Sequence, residues 1–127
     1  MNLLSKKCSK CQIEKPIEAF NKNKAKSDGL TSECKECNAI NAKTRRRYLR
    51  NMVSEYKLSK GCTDCGYNKH PAALELDHLP QYTKIRDVAQ MVSGRLSEET
   101  IWNEIAKCEV VCNNCHAIRT EERRNKE

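Results

Sequence analysis

From about Ser32 to Leu58 the chain contains neither Gly nor Pro, and its apolar residues Leu49, Met52, Val53 and Tyr56 recur at spacings of three and four. That period predicts one long helix with a single buried stripe. The opposite side holds Lys43, Arg45, Arg46, Arg47 and Arg50, and Ser59-Lys60-Gly61 ends the run. Ala73 to His78 alternates instead, with Leu74 and Leu76 on one face and Glu75 and Asp77 on the other, which predicts a strand. Ile85 to about Val92 predicts a short helix stopped at Gly94. Ser97 caps another, with Glu98 and Glu99 in its first turn and Ile101, Trp102 and Ile105 as its core face. Glu109-Val110-Val111 reads as a second short strand. The last helix starts near Asn114 and sets His116, Arg119, Thr120 and Arg123 along one side, and Asn125-Lys126-Glu127 should fray.

Upstream of the long helix the apolar pattern is almost empty. Ile13, Pro16, Ile17 and Phe20 serve as its anchors, and Ser27-Asp28-Gly29 reads as a turn. Over all 127 residues, 38% are hydrophobic and 32% charged, with one Phe and one Trp. Such a chain buries little apolar surface, and small thin-cored domains need staples. Eight of the nine cysteines fall into C-x-x-C pairs: Cys8/Cys11, Cys34/Cys37, Cys62/Cys65 and Cys112/Cys115. A disulfide framework does not require that spacing, whereas two thiols so spaced both reach one tetrahedral zinc. Two structural Zn²⁺ are therefore expected. The first two pairs, 22 residues apart, fit a zinc ribbon or a treble-clef-like knuckle pair; the last two enclose 46 residues. Cys108 reads as a small buried hydrophobe on a strand.

Met1 to Lys7 has no apolar run long enough for a signal peptide, and no stretch approaches the roughly 20 apolar residues of a membrane span. A cytoplasmic protein is expected, with no membrane partner. Charge narrows the partner further. Residues 1–60 carry 15 Lys and Arg against 6 acids, while residues 61–127 carry 9 against 11. A charge run is often only a solvated face, but Lys43 to Arg50 brings five cations within eight residues and no acid. DNA-backbone contact is the expectation for that face. Arg119 and Arg123 are candidates for further phosphate contacts.

Zinc on the second set of cysteines would clamp a strand, an insertion, a strand and the start of a helix, leaving Asp77, His78 and His116 as the polar residues inside. Neighbouring strand residues diverge, so Asp77 and His78 point to different sides. One can share a cation with His116 while the other faces a substrate's water. His70, before Pro71, reads as ordinary surface, and Asn113 and Asn114 as turn residues of the knuckle.

Leu76-Asp77-His78, followed about 35 residues later by Cys112-Asn113-Asn114-Cys115-His116, resembles the HNH nuclease signature. The four-cysteine clamp resembles the zinc-bearing, endonuclease VII-like branch of that superfamily. Glu104 to His116 is similar to the ending of many small bacterial and phage HNH proteins, and Lys15-Pro16 with Phe20 resembles modules that precede such domains. The resemblance covers residues 60–124 specifically and 8–40 more loosely. It implies a small, metal-stapled α+β fold: a zinc-ribbon-like module (1–40), a basic linker helix (41–60) and a ββα-metal HNH domain (61–127). It implies a metal-dependent DNA endonuclease leaving 5′-phosphate and 3′-hydroxyl ends. Asp77 and His116 would hold a catalytic Mg²⁺ or Mn²⁺, and His78 would be the general base. The signature's middle Asn, a loop-bracing residue, is missing; Lys107 or Glu104 occupies its region. The competing expectation is a non-catalytic two-zinc nucleic-acid-binding protein, regulatory or involved in packaging, which needs no convergence of Asp77, His78 and His116. Monomer or dimer stays open.

Overall fold

The computed structural model describes residues 4–126. The expectations for Met1–Leu3 and for Glu127 lie outside the described residues. The fold is small α+β, with three two-stranded antiparallel sheets and four α-helices among the described residues. The chain falls into two compact units, the first ending at Arg45 and the second beginning at Arg46. That boundary lies inside helix α1 (Lys35–Lys60).

The first unit pairs β1 (Ser5–Lys7) with β2 (Glu14–Pro16), and β3 (Phe20–Lys22) with β4 (Leu30–Cys34). The long helix thus begins three residues later than its lack of Gly and Pro predicts. Residues 30–34 are taken by β4, and nothing in their composition marks the change. Asp28 Oδ1 accepts from Leu30 N at 3.0 Å and Gly29 has φ +73°, so the expected turn is present. Of the four apolar anchors, Phe20 alone is buried, at 3%, while Ile13 is 55% exposed. The core of this unit is Phe20 plus Cys8, Cys34 and Cys37. Burying one Phe contributes about 2–3 kcal/mol. That is far below what ordering some thirty residues costs at about 1–2 kcal/mol each, so the thiol cluster must organise the rest.

In the second unit, α1 lays Leu49 and Val53 against α2 (Val88–Ser93) and α3 (Glu98–Ile105). Ser97 Oγ accepts from Thr100 N at 3.2 Å, the expected cap. Trp102 departs from its expected core position. It is 36% exposed and meets Tyr56 edge-on at 5.3 Å, while Glu104 lies buried between Ile101 and Ile105. Strand β5 (Leu74–His78) pairs with β6 (Cys108–Cys112), Asp77 opposite Glu109 and His78 opposite Cys108. Helix α4 (Asn113–Asn125) follows β6 without a break.

The two units share one backbone device. In each, a turn closes by bonds from Cys8 N to Ile13 O and Gln12 N to Cys8 O, or from Cys62 N to Tyr67 O and Gly66 N to Cys62 O. The residue after the first cysteine then bonds a strand: Ser9 N to Ser32 O at 3.0 Å, Thr63 N to Val110 O at 2.7 Å. Each strand ends in a cysteine, Cys34 or Cys112, and the helix that follows carries the fourth, Cys37 or Cys115. In both units, then, one knuckle is set against the first turn of a helix.

The equivalence reaches single torsions. The fourth residue after the first cysteine is left-handed in both turns, Gly66 at φ +82° and Gln12 at φ +63°. A side chain there costs about 1–2 kcal/mol, partly offset by glycine's greater loss of freedom on folding. Gln12→Gly is expected to raise stability by up to about 1 kcal/mol, and Gly66→Ala to lower it by a similar amount. Thermal unfolding of the zinc-loaded variants beside the parent checks both signs.

Candidate metal centres and the adjoining groove

Each knuckle gathers four sulfurs. Cys8, Cys11, Cys34 and Cys37 form one group and Cys62, Cys65, Cys112 and Cys115 the other, with the sulfurs of each within 4.8 Å of one another. Sulfurs about 2.3 Å from one tetrahedral zinc lie about 3.8 Å apart. Cys65 Sγ and Cys112 Sγ are separated by 3.7 Å. Both groups could hold a zinc ion.

The backbone prepares the first cysteine of each group for it. Burial pushes the Cys8 thiol up, but N–H groups of Cys11, Cys34 and Lys10 outweigh it and bring the pKa down to about 6. Cys62 repeats this: burial raises it, N–H groups of Cys112, Cys65 and Asp64 lower it, and it also falls to about 6. Lys15 Nζ donates to Cys34 Sγ at 3.2 Å and to Glu36 at 3.2 Å, partly offsetting the −2 charge of a four-thiolate zinc. Cys108 sits on β6, its thiol pushed up to about 11 by burial, and donates to Glu104 O.

The second centre fixes the start of α4. Cys112 is its N-cap, with Sγ accepting from Cys115 N at 3.4 Å. His116 therefore leaves the first turn in a set direction, and its ring lies between two carboxylates. Nδ1 bonds Glu75 Oε2, and Nε2 stands 3.4 Å from Asp77 Oδ1. The second separation is long for a hydrogen bond. It matches two ligands held about 2.1 Å from one cation, which lie about 3.0–3.4 Å apart.

Asp77 is 2% exposed. Its Oδ2 accepts from Arg119 and Arg123, both at 2.8 Å, and its Oδ1 from Arg123 at 2.9 Å. Burial pushes its carboxyl up, and the two guanidinium groups more than offset that, holding it below the ordinary carboxylate range. Arg119 also bonds Asp64 in the knuckle at 2.7 Å through two nitrogens and Glu109 at 3.0 Å. Arg119 and Arg123, expected from sequence as DNA contacts, are thus engaged inside the fold. The helical spacing that aligned them with His116 aims them at β5.

His78 points to the other face of β5, where its Nε2 lies 2.9 Å from Glu104 Oε2. Both imidazoles nevertheless line one groove of about 510 Å³, together with Arg50 and Lys57 of α1, Glu75 and Asp87. Burial lowers the Lys57 ammonium's pKa while Glu75 works against it. Comparison with family models, with curated proteins and with solved structures finds no match. The site must be read from its own chemistry.

Sequence reasoning named Asp77, His78 and His116, which the structure places in or beside one groove, but it did not single out Lys57 or the burial of Glu104. Lys57 follows Arg50 by seven residues, two helical turns, which was a usable signal. Lys43, Arg46 and Arg47 stand on α1 clear of the groove's lining, as does Arg45. His70 is exposed, its Nδ1 accepting from Ala72 N. No described helix is long and apolar enough to cross a membrane.

Metal analysis of the purified chain is expected to give two zinc ions, and Cys34→Ser and Cys112→Ser one each, since each substitution breaks one set of four ligands. Arg119→Ala leaves buried Asp77 with one partner and the knuckle untied from β5. It is expected to cost about 2–3 kcal/mol, measured by urea unfolding of the zinc-loaded protein.

Proposed function

We propose that the chain is a metal-dependent DNA endonuclease of the HNH type, hydrolysing phosphodiester bonds. The observation that carries the reading is the convergence of Asp77 Oδ1 and His116 Nε2, 3.4 Å apart, beside a groove that His78 shares with Arg50 and Lys57. Asp77 and His116 would hold a Mg²⁺ or Mn²⁺, which supplies Lewis-acid stabilisation of the charge on the phosphorus oxygens and the leaving 3′ oxygen. Oδ1 of Asp77 accepts one hydrogen bond and keeps a second lone pair for that ion. His78 takes a proton from the attacking water. Arg50 and Lys57 place positive charge beside the phosphate, and Lys43, Arg45, Arg46 and Arg47 extend that charge along α1 for the DNA backbone.

The two guanidinium groups on Asp77 repel a second cation. Cation and phosphodiester would therefore bind together, the phosphate supplying the negative charge that the arginines remove. The same clasp favours the competing reading, a two-zinc nucleic-acid-binding protein in which Asp77 is purely structural.

Incubation of the zinc-loaded protein with supercoiled plasmid and Mg²⁺ or Mn²⁺ separates them. The nuclease reading expects nicked or linear product, and a loss of at least about 10²-fold in His78→Ala with zinc content and circular dichroism retained. Equal cutting by that variant removes His78 from the chemistry. Salt-sensitive DNA binding without any cutting selects the competing reading.

A further inference from the structure

Glu104 and Asp77 are the two buried carboxylates among the described residues, and Glu104, at 1% exposure, has no part in the chemistry so far. It stands on the inward face of α3 beside Ile101 and Ile105, where burial of a carboxylate is costly unless every oxygen is bonded. Here the oxygens are bonded. Oε1 accepts from Lys107 Nζ at 2.9 Å, and Oε2 accepts from Ile85 N at 3.1 Å and meets His78 Nε2 at 2.9 Å. Lys107 donates in turn to Thr83 O at 2.9 Å, and its carbonyl accepts from Leu79 N at 3.0 Å. Together Glu104 and Lys107 tie down the segment between His78 and α2.

The state of the imidazole follows from donor arithmetic. An ionised carboxylate can only accept, so the nitrogen that meets it must carry the proton. Burial pushes the Glu104 carboxyl up, but Lys107, the Ile85 N–H and His78 bring it below the ordinary range, so the group is ionised. Neutral His78 then has its lone pair on Nδ1.

We infer that Glu104 is a positioning residue that fixes His78 as the Nε2–H tautomer, leaving Nδ1 as the nitrogen that accepts a proton at the groove. The tautomer stands on the contacts of Glu104 with His78, Lys107 and Ile85; its use as a base rests on the nuclease reading. In that use, a water proton passes to Nδ1 as the water oxygen bonds phosphorus. The bond from phosphorus to the 3′ oxygen breaks, and its electron pair leaves on that oxygen, which takes a proton from solvent. His78 becomes an imidazolium whose Nε2–H still points at Glu104, so the positive charge forms against a fixed negative one.

Long-range ¹H–¹⁵N spectra of the zinc-loaded full chain at a pH where its histidines are neutral test the tautomer in the unaltered protein. His78→Ala assigns the signal. The expected pattern is Nε2–H at His78; an Nδ1–H pattern, or an average of the two, overturns the proposal. Glu104→Gln, whose amide can either accept or donate, should mix the tautomers and lower kcat by about 10- to 10²-fold with KM unchanged. An unaltered spectrum or kcat in a variant that keeps its zinc and circular dichroism overturns the positioning role. An Nε2–H His78 in a chain that cuts no DNA overturns the nuclease reading and leaves the Glu104–His78 assignment standing.

Discussion

The gathering of four sulfurs within 4.8 Å, done twice, is the constraint on which the remaining structure depends. In the first unit the thiols are most of the core, since Phe20 is their only large buried companion among the described residues. In the second they do something different. Leu49, Leu74, Met91, Ile101 and Ile105 already supply an apolar interior, and the cysteines set where α4 begins. Because Cys112 ends β6 and caps α4 while Cys115 lies in its first turn, the sulfur clamp fixes the rotation of that helix. Every side chain that α4 aims at β5 inherits the fixed direction. A structural zinc contributes about 10–16 kcal/mol of apparent folding energy in small domains, ample to impose such a rotation on a 13-residue helix.

Strand alternation then divides the polar residues of β5 between two faces. Glu75 and Asp77 face α4 and meet His116, Arg119 and Arg123. His78 faces α3 and meets Glu104. Each imidazole is held through one nitrogen by a carboxylate, His116 by Glu75 and His78 by Glu104, and each lines the groove. A ring so held has one nitrogen committed and one available. That is the condition for an imidazole to act as a ligand or a base in a chosen direction.

Much of this was legible in the sequence because period and spacing are physical signals. C-x-x-C spacing gave the sulfur groups, alternation from Leu74 to His78 gave β5 and the divergence of Asp77 from His78, and Ser97 gave the start of α3. What was missed was missed for stateable reasons. Glu104 occupies a core position three residues from Ile101, but a glutamate scores as polar in any periodicity, and its three partners are distant in sequence or loop-borne. Trp102 was placed inside because it is large and apolar, though a narrow helix such as α3 has room on its buried face for Ile101, Glu104 and Ile105 alone. The recurrence of one knuckle-strand-helix device was hidden because 22 residues separate the pairs in one copy and 46 in the other, and Gln12 stands where the second copy has Gly66.

The clamp and the buried carboxylate of β5 are joined through one side chain. Arg119 bonds Asp64, which lies between Cys62 and Cys65, and also bonds Asp77 and Glu109 on the paired strands. A guanidinium suits this place because its planar fork can satisfy three carboxylates at once, whereas a lysine would serve as a single point charge. Movement of the knuckle, as on loss of its zinc, would draw Arg119 away from Asp77 and leave a buried carboxylate half paired. A zinc ion on these sulfurs would therefore hold the Asp77–His116 geometry as well as the knuckle. In this second unit an ion on the four sulfurs would set the direction of His116 through Cys112 and Cys115, and through Arg119 the pairing of its neighbour Asp77.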